Sequence, residues 1–283
     1  MKSWMKQAVL FLTILAIGLI VFVVFSHVRP LLPGLLDPIG RIVLAVLLLG
    51  LSILVRRSKH MTLFGPTLYA FFAATVAMAV DTYLPTSRWL LNALDVPILS
   101  PAGLALDKLD SSVILIGLLI LLTRLSGERL DTIYLKKGNL KEGLKTGILA
   151  FLIASVASYF IAGLLFGAQN LSIARILPWT PWIIIFIFGN AFNEELLFRG
   201  LFLSKINCVM NRTTANLVLI LPFVLHHTGI TYTNDALMFL VYLVPLAFVW
   251  GYLIQKTDSL LASVLFHAGT DVSVVLVIFS QLT

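Results

Sequence analysis

Charged side chains and cysteine are scarce in this sequence. Only 12% of its 283 residues are charged, whereas 59% are hydrophobic. Soluble domains contain roughly 45–50% apolar and about 25% charged residues. A soluble fold of this length could not bury so much apolar surface, so the composition predicts an integral, multi-pass membrane protein. The single cysteine, Cys208, excludes an intramolecular disulfide framework.

A basic face for nucleic acid is also missing. The formal net charge is +7, but the lysines and arginines separate apolar runs and do not gather on one surface. This distribution argues against nucleic acid as a partner. The lipid bilayer, with its anionic headgroups, explains the excess of positive charge more simply.

Apolar runs long enough to cross a membrane recur along the chain. A spanning helix needs about 20 mostly apolar residues, which here predicts an all-α, polytopic transmembrane helix bundle of about eight or nine spans. The first run follows Lys2 and Lys6, and its length and flanks favour an uncleaved anchor over a signal peptide. The predicted spans are 8–25, 42–55, 62–80, 110–123, 146–166, 182–204, 214–229, 237–254 and 259–282.

The positions of lysine and arginine predict an orientation, because these residues concentrate on the cytoplasmic side of a membrane. With the N-terminus inside, they fall mainly in inside segments, above all in the loop 124–145. We therefore predict N-terminal transmembrane helices over 1–123, a cytoplasmic basic loop over 124–145 and a C-terminal transmembrane core over 146–283. The N-terminus is expected in the cytoplasm, and the membrane is expected to be the plasma membrane of a prokaryote.

Ionisable residues cluster in the last four predicted spans and are almost absent from the first five. A central Asp, Arg or Lys costs roughly 2.5–3.5 kcal/mol on insertion scales, so such residues are candidates for function. The clustered residues are Glu194, Glu195, Arg199, His226, His227, His267 and Asp271. Their clustering does not suit scattered structural polar groups.

Helical spacing divides this cluster into roles. Glu195 and Arg199 are four residues apart and can pair, which favours structural support of the fold over catalysis. Glu194 points about 100° away and has no evident partner on its helix. His267 and Asp271 also share a face, and this pair could serve either the site or a helix–helix hydrogen bond.

Depth and direction refine the candidate site. Counted from the cytoplasmic ends, Glu194, His227, His267 and Asp271 all lie about 12–20 Å into the membrane. His226 and His227 cannot both face one site, so one of them is expected to be a packing residue. Carboxylates and imidazoles from three helices at one level are suited to activating a water molecule, by general base or by metal.

Three short motifs in the C-terminal half resemble those of one protease family. EELLFRG at 194–200 matches the EExxxR motif of the CPBP intramembrane proteases (CAAX protease and bacteriocin-processing, or Abi), which include the Ras-converting CAAX endopeptidase. FVLHH at 223–227 matches the FxxxH motif and assigns its histidine to His227. HAGTD at 267–271 matches HxxxN in an Asp variant. Each motif alone is weak, but three in the right order within predicted spans are specific.

The resemblance implies hydrolysis of a peptide bond in or near the membrane by a water that Glu and His activate. When the roles of the family's motif residues are assigned to this sequence, Glu194 is the general base, His227 is its partner and His267 is a donor to the oxyanion. Asp271 departs from the family's Asn, because an ionised Asp cannot donate a hydrogen bond. It orients His267 instead, or it is protonated. The implied substrate is a membrane-associated or lipidated, CAAX-like peptide or protein.

A zinc ion is the open alternative to a purely glutamate-dependent mechanism. His227, His267, Asp271 and Glu194 carry ligand types that suit zinc. The HExxH signature of zincins is missing, however, and so is a serine-protease GxSx motif. A metal-independent or weakly metal-dependent mechanism is favoured, although ligand type alone does not decide.

Two functions from other classes use the same residue types. Buried Glu, His and Asp can form the proton relay of a coupled transporter, but no inverted repeat is visible in the sequence. A non-catalytic membrane scaffold or immunity protein could keep the motifs and act by binding. An activity assay on a Glu194 variant separates these classes.

Overall fold

The apolar segments of the chain fold as helices in a computed structural model. It describes residues 3–26, 28–59, 61–230, 232–233 and 235–282, and these ranges contain no strand. The helices are α1 Ser3–Leu19, α2 Leu36–Arg57, α3 Gly65–Tyr83, α4 Ser87–Ala93, α5 Pro101–Leu125, α6 Leu140–Leu164, α7 Ile173–Ile176, α8 Thr180–Glu195, α9 Leu201–Ile206, α10 Arg212–His226, α11 Ala236–Thr257 and α12 Leu261–Leu282.

Within the described ranges, seven helical stretches are long and apolar enough to cross a membrane. They correspond to seven of the predicted spans. The other two, 110–123 and 214–229, fall in α5 and α10. Helix α5 carries Asp107, Lys108 and Asp110 in its first half, and α10 has only 15 residues. The predicted all-α membrane bundle is confirmed, with seven spans that meet the length and hydropathy criteria.

Helix α12, which carries the third motif, packs closely against α6. A Cβ atom on Gly147 would lie 3.0 Å from the Cα atom of Ala262, and one on Gly269 would lie 2.7 Å from the carbonyl oxygen of Phe151. Small residues of this kind let helix backbones approach in a membrane. The Ser158 hydroxyl also donates to the Gly269 carbonyl at 3.0 Å. These contacts fix the depth at which α12 presents its motif.

The first motif lies where α8 changes its winding. A π-helical turn, Leu196–Gly200, joins α8 to α9, and every residue of that turn is buried. Single π turns within α-helices frequently occur at functional sites. Upstream, Gly189 lets α8 approach α5, since a Cβ there would lie 3.3 Å from the Ser112 hydroxyl. The turn and this close approach together place the two glutamates against the core.

A buried ion pair also occurs in the N-terminal half, which the sequence reasoning missed. In α2, Arg41 Nε donates to Asp37 Oδ2 at 2.8 Å, and both residues are almost fully buried. The Tyr83 hydroxyl donates to the same oxygen at 2.5 Å, and Arg41 Nη2 donates to the Ser26 carbonyl at 2.9 Å. The predicted span begins at 42, whereas α2 begins earlier and therefore includes both charges.

Candidate active site

Glu195 is the most enclosed member of the cluster, with no exposed surface. Its Oε1 accepts from Arg199 Nη1 at 2.7 Å and from His267 Nδ1 at 2.8 Å. Its Oε2 accepts from the Ser263 hydroxyl at 2.6 Å. Both oxygens are therefore satisfied, as a buried carboxylate requires. Glu195 links α8 to α12 and does more than pair with Arg199.

His267 is held in one orientation by its neighbours. Because Nδ1 donates to Glu195, Nε2 points to the other side of the ring. There Nε2 lies 3.6 Å from Glu194 Oε2 and 3.4 Å from Asp271 Oδ1. The Trp250 ring stacks on the imidazole with a centroid separation of 3.8 Å and an interplanar angle of 10°. This packing leaves little freedom for the ring to rotate.

His227 approaches the same point from another helix. Helix α10 contains Pro222 and ends at His226, so His227 opens a short 3₁₀ turn at its end. His227 Nδ1 lies 2.9 Å from the Phe223 carbonyl oxygen and donates to it. Nε2, the opposite ring nitrogen, then lies 3.6 Å from Glu194 Oε2. A neutral His227 therefore presents an unprotonated Nε2 to the glutamate.

Glu194 lies between the two imidazoles. Its Oε2 is buried and has no hydrogen-bond partner among the described residues. The two 3.6 Å separations to His227 and His267 exceed a direct hydrogen bond. The side chain as a whole keeps 14% exposure, compared with none for Glu195. Of the two adjacent glutamates, Glu194 is thus the one that can meet a small polar molecule.

Asp271 contacts a residue that the sequence reasoning missed. Its Oδ2 accepts from Asn190 Nδ2 at 2.9 Å, and both residues are buried. Asn190 precedes Glu194 by one turn of α8, so the two share a helix face. The sequence did contain a signal for Asn190, because it is a polar amide in an otherwise apolar span, four residues before the motif. Trp250 and Ser263 were missed as well, because no spacing rule relates residues on different helices.

His226 faces away from this cluster. Its Nδ1 lies 2.8 Å from the Phe22 carbonyl oxygen and 3.2 Å from the Ser26 hydroxyl. These contacts tie α10 to the π-helical turn Ile20–Val24, which continues α1, and to the residue Ser26 beyond it. The structure therefore brings Glu194, His227, His267 and Asp271 together and leaves His226 in a packing position.

A cavity of 220 Å³ opens beside Glu194 and is lined by residues from α5, α8, α10, α11 and α12. Most of its wall is apolar, including Phe186, Leu243 and Leu246. Tyr232 lines it from the connection between α10 and α11. Burial, and then the Asp271 and Glu194 carboxylates, raises the pKa of Tyr232 well above its usual value. Its hydroxyl therefore stays protonated at neutral pH and can donate a hydrogen bond.

The four side chains considered as possible zinc ligands are not arranged as a ready-made metal site. Within the part of the chain that the structure describes, no group of three His, Cys, Asp or Glu side chains is arranged to hold a metal ion. His227 and His267 do present Nε2 atoms towards one carboxylate oxygen. We therefore derive no step through a metal.

One family model matches the region that carries all three motifs. Residues 175–273 match the model described as type II CAAX prenyl endopeptidase Rce1-like. The match runs from α7 into α12. No curated protein and no solved structure matches the chain. The resemblance predicted from the motifs is confirmed: over residues 175–273, the chain is similar to Rce1-like type II CAAX prenyl endopeptidases.

Proposed function

We propose that this chain is an intramembrane endopeptidase that hydrolyses a peptide bond of a membrane-associated, CAAX-like substrate. One observation carries the proposal. A buried carboxylate oxygen of Glu194, without a hydrogen-bond partner among the described residues, lies between the Nε2 atoms of His227 and His267 beside an apolar cavity. A carboxylate in such surroundings is suited to accept a proton from a reacting water.

Glu194 acts as the general base in this mechanism. It takes a proton from water while the water oxygen adds to the carbonyl carbon of the scissile peptide bond. His227, held at Nδ1 by the Phe223 carbonyl, orients the water through Nε2. The protonated Glu194 then passes its proton to the leaving nitrogen, and the carbon–nitrogen bond breaks. The products are a carboxylic acid and an amine, so one water is consumed for each bond cleaved.

His267 stabilises the negative oxygen of the tetrahedral intermediate. Its Nδ1 donates to Glu195, and in its protonated form Nε2 also carries a proton that can be donated to the oxyanion. Glu195 holds the ring so that Nε2 faces the site, and Asp271 Oδ1 lies 3.4 Å from that nitrogen. Asp271 then supports His267, while Asn190 holds the other oxygen of Asp271. This division of roles accommodates Asp where the family motif has Asn.

An apolar groove supports the membrane-associated character of the substrate. It lies between α6 and α11, has a volume of 520 Å³ and shares Tyr242, Leu246 and Thr270 with the cavity beside Glu194. Its remaining wall is largely aliphatic, including Leu149, Ile153 and Leu253. A lipidated or apolar substrate segment can therefore approach the site from the bilayer.

The orientation in the membrane is a second part of the proposal. We propose a cytoplasmic N-terminus and loop 124–145, in the plasma membrane of a prokaryote, because basic residues gather in that loop. Lys137→Cys, in a variant whose Cys208 is replaced by Ser, should resist an impermeant thiol reagent in intact cells and react after lysis. Labelling in intact cells would reverse the orientation.

Cleavage by purified protein in proteoliposomes tests the function. The substrate is a peptide that carries a prenylated cysteine three residues before its free carboxyl end, and mass spectrometry identifies the products. Wild-type protein should cleave it, whereas Glu194→Gln should lose about 10²–10⁴-fold in rate. Glu142→Gln, at a partly exposed acidic position in α6, is the matched control and should keep wild-type activity.

The rival functions give different results in the same assay. A scaffold would bind the peptide and leave it intact, and a transporter would change the vesicle pH without any cleavage. Cleavage by Glu194→Gln at the wild-type rate would overturn the assignment of the general base.

A further inference from the structure

The third motif of this chain lacks one hydrogen-bond donor at the candidate site. The asparagine of an HxxxN motif has an amide N–H to donate, whereas the carboxylate of an ionised Asp271 can only accept. Asp271 Oδ1 lies 3.4 Å from His267 Nε2, and Asp271 Oδ2 accepts from Asn190 Nδ2. Of the two residues that the third motif contributes to the site, His267 alone can therefore donate to an oxyanion.

Tyr232 brings a hydroxyl group to the same cavity from outside the three motifs. It lines the cavity beside Glu194, together with His267 and Asp271. Burial is the largest cause that raises the pKa of Tyr232, and the Asp271 and Glu194 carboxylates raise it further, so both lie within electrostatic reach of the hydroxyl. The hydroxyl therefore carries its proton at neutral pH, close to the groups that surround a reacting carbonyl.

The neighbours of Tyr232 hold its ring and its backbone but leave the hydroxyl unused. The ring packs edge-on against Phe239, with centroids 5.5 Å apart and an interplanar angle of 90°. Phe239 also lies 6.2 Å from the His227 ring, between centroids. The Tyr232 backbone carbonyl accepts from Gln281 Nε2 at 3.3 Å. Among the residues that the structure describes, none forms a hydrogen bond with the Tyr232 hydroxyl, so it is left to bind a substrate atom.

We propose that the Tyr232 hydroxyl donates a hydrogen bond to the oxyanion of the tetrahedral intermediate and replaces the donor that Asp271 lacks. This inference rests on the proposed function and adds a catalytic residue to it. The carbonyl oxygen gains negative charge as water adds, so a donor at this point stabilises the transition state more than the bound substrate. Tyr232 keeps its proton throughout, and no covalent bond to it forms or breaks.

Removal of the hydroxyl alone is the first test. Tyr232→Phe keeps the ring that packs on Phe239, so KM and the unfolding temperature should stay near wild type. The loss of one oxyanion donor should lower kcat by about 10²-fold. Cleavage of the prenylated peptide in proteoliposomes and thermal unfolding in detergent measure these effects. Tyr252→Phe, at an exposed tyrosine of α11, is the matched control and should keep the wild-type rate. A wild-type kcat in folded Tyr232→Phe would overturn the inference.

Rescue by Asp271→Asn is a test that a merely structural role of Tyr232 would not pass. Because Asn190 donates to Oδ2, the new amide would keep its oxygen there and place its nitrogen at the Oδ1 position beside His267. Asp271→Asn should then raise the kcat of Tyr232→Phe by about tenfold and change that of wild type by less, since the two donors serve one oxygen. The same factor in both backgrounds would mean that the two residues act independently, and the inference would be wrong.

A peptide whose scissile amide is replaced by a phosphinate separates this inference from the proposed function. Its tetrahedral, anionic phosphorus group resembles the intermediate, whereas the amide peptide does not. Binding of both labelled peptides to detergent-solubilised protein is measured by fluorescence polarisation in a Glu194→Gln background, which leaves the amide intact. Adding Tyr232→Phe should weaken the binding of the phosphinate about tenfold and that of the amide very little.

Equal losses for the two peptides would make Tyr232 a general binding residue and overturn the inference. If the phosphinate alone is weakened but wild-type protein cleaves no peptide, the donor assignment stands and the protease proposal fails. If wild-type protein cleaves the peptide and Tyr232→Phe binds the phosphinate as tightly as its parent does, only the assignment of Tyr232 fails.

Discussion

Two buried carboxylate–arginine pairs, Asp37–Arg41 in α2 and Glu195–Arg199 in α8, share spacing and depth of burial. Both are four residues apart, with nitrogen–oxygen distances of 2.8 and 2.7 Å. All four side chains are at most 3% exposed. Spacing and burial therefore do not distinguish them.

Their surroundings do distinguish them. The α2 pair is completed by the Tyr83 hydroxyl and the Ser26 carbonyl, neither of which is suited to proton transfer at neutral pH. In the α8 pair, Glu195 also holds His267, which faces Glu194. A buried ion pair is thus weak evidence for function. The stronger indication is the adjacent carboxylate that lacks a partner and faces two imidazoles.

The largest expected effect comes from removing each arginine in turn. Arg41→Ala and Arg199→Ala each strand a buried carboxylate, which typically costs about 3–5 kcal/mol in the free energy of unfolding. Only Arg199→Ala should also lower the activity per folded molecule, because Glu195 would no longer hold His267 correctly. Thermal unfolding in detergent and cleavage rates normalised to folded protein measure the two effects.

Two outcomes would break this comparison. If Arg41→Ala lowers specific activity as much as Arg199→Ala does, the two pairs do not differ in function. If Arg199→Ala is inactive yet as stable as wild type, Arg199 acts in catalysis and not in support of the fold.

The neighbouring residues His226 and His227, at the end of α10, allow a comparison between a packing residue and a catalytic residue. His227→Ala should lower kcat by about 10²–10⁴-fold and leave stability nearly unchanged, because it removes the partner of the general base. His226→Ala should cost about 1–3 kcal/mol of stability and spare activity, because it leaves the buried Phe22 carbonyl without its donor. Cleavage and unfolding of both variants are compared. Loss of catalysis in folded His226→Ala would reverse the assignment.

The smallest expected effect is that of Asp271→Asn. Asparagine can still accept from Asn190 through its carbonyl oxygen, so activity should stay within about tenfold of wild type or rise. Chelation by EDTA should likewise leave the rate unchanged. Cleavage rates and metal content of the purified protein test both points. If Asp271 were a zinc ligand, activity and bound zinc would fall together.

Much of the fold was predictable from the sequence, because backbone polar groups in lipid must form their hydrogen bonds within the protein. Long apolar stretches must become helices, and seven of the nine predicted spans correspond to such stretches in the described residues. Helix ends were less predictable. Asp37 and Arg41 neutralise each other inside α2, so charges that suggested a loop belong to a helix.

The residues that meet at the site were predictable from helical spacing and from a shared depth across three helices. Spacing also indicated that Glu195 and Arg199 pair, and that His226 and His227 point in different directions. The individual hydrogen bonds between helices had no such signal. The hydrogen bond from His267 to Glu195 joins residues that lie far apart in the chain, as does that from Asn190 to Asp271. These depend on the rotation and depth of packed helices, which glycines such as Gly147 set and hydropathy does not reveal.

The central claim is that Glu194 and His227 activate water as one unit. The direct measurement is a double-mutant cycle of kcat on the carboxylate-ended peptide, with Glu194→Gln, His227→Ala and the combined variant. Residues that act together give strongly non-additive losses. We predict that the combined variant is about as slow as Glu194→Gln alone, with all three variants folded. Losses that multiply, or wild-type cleavage by Glu194→Gln, would contradict the claim.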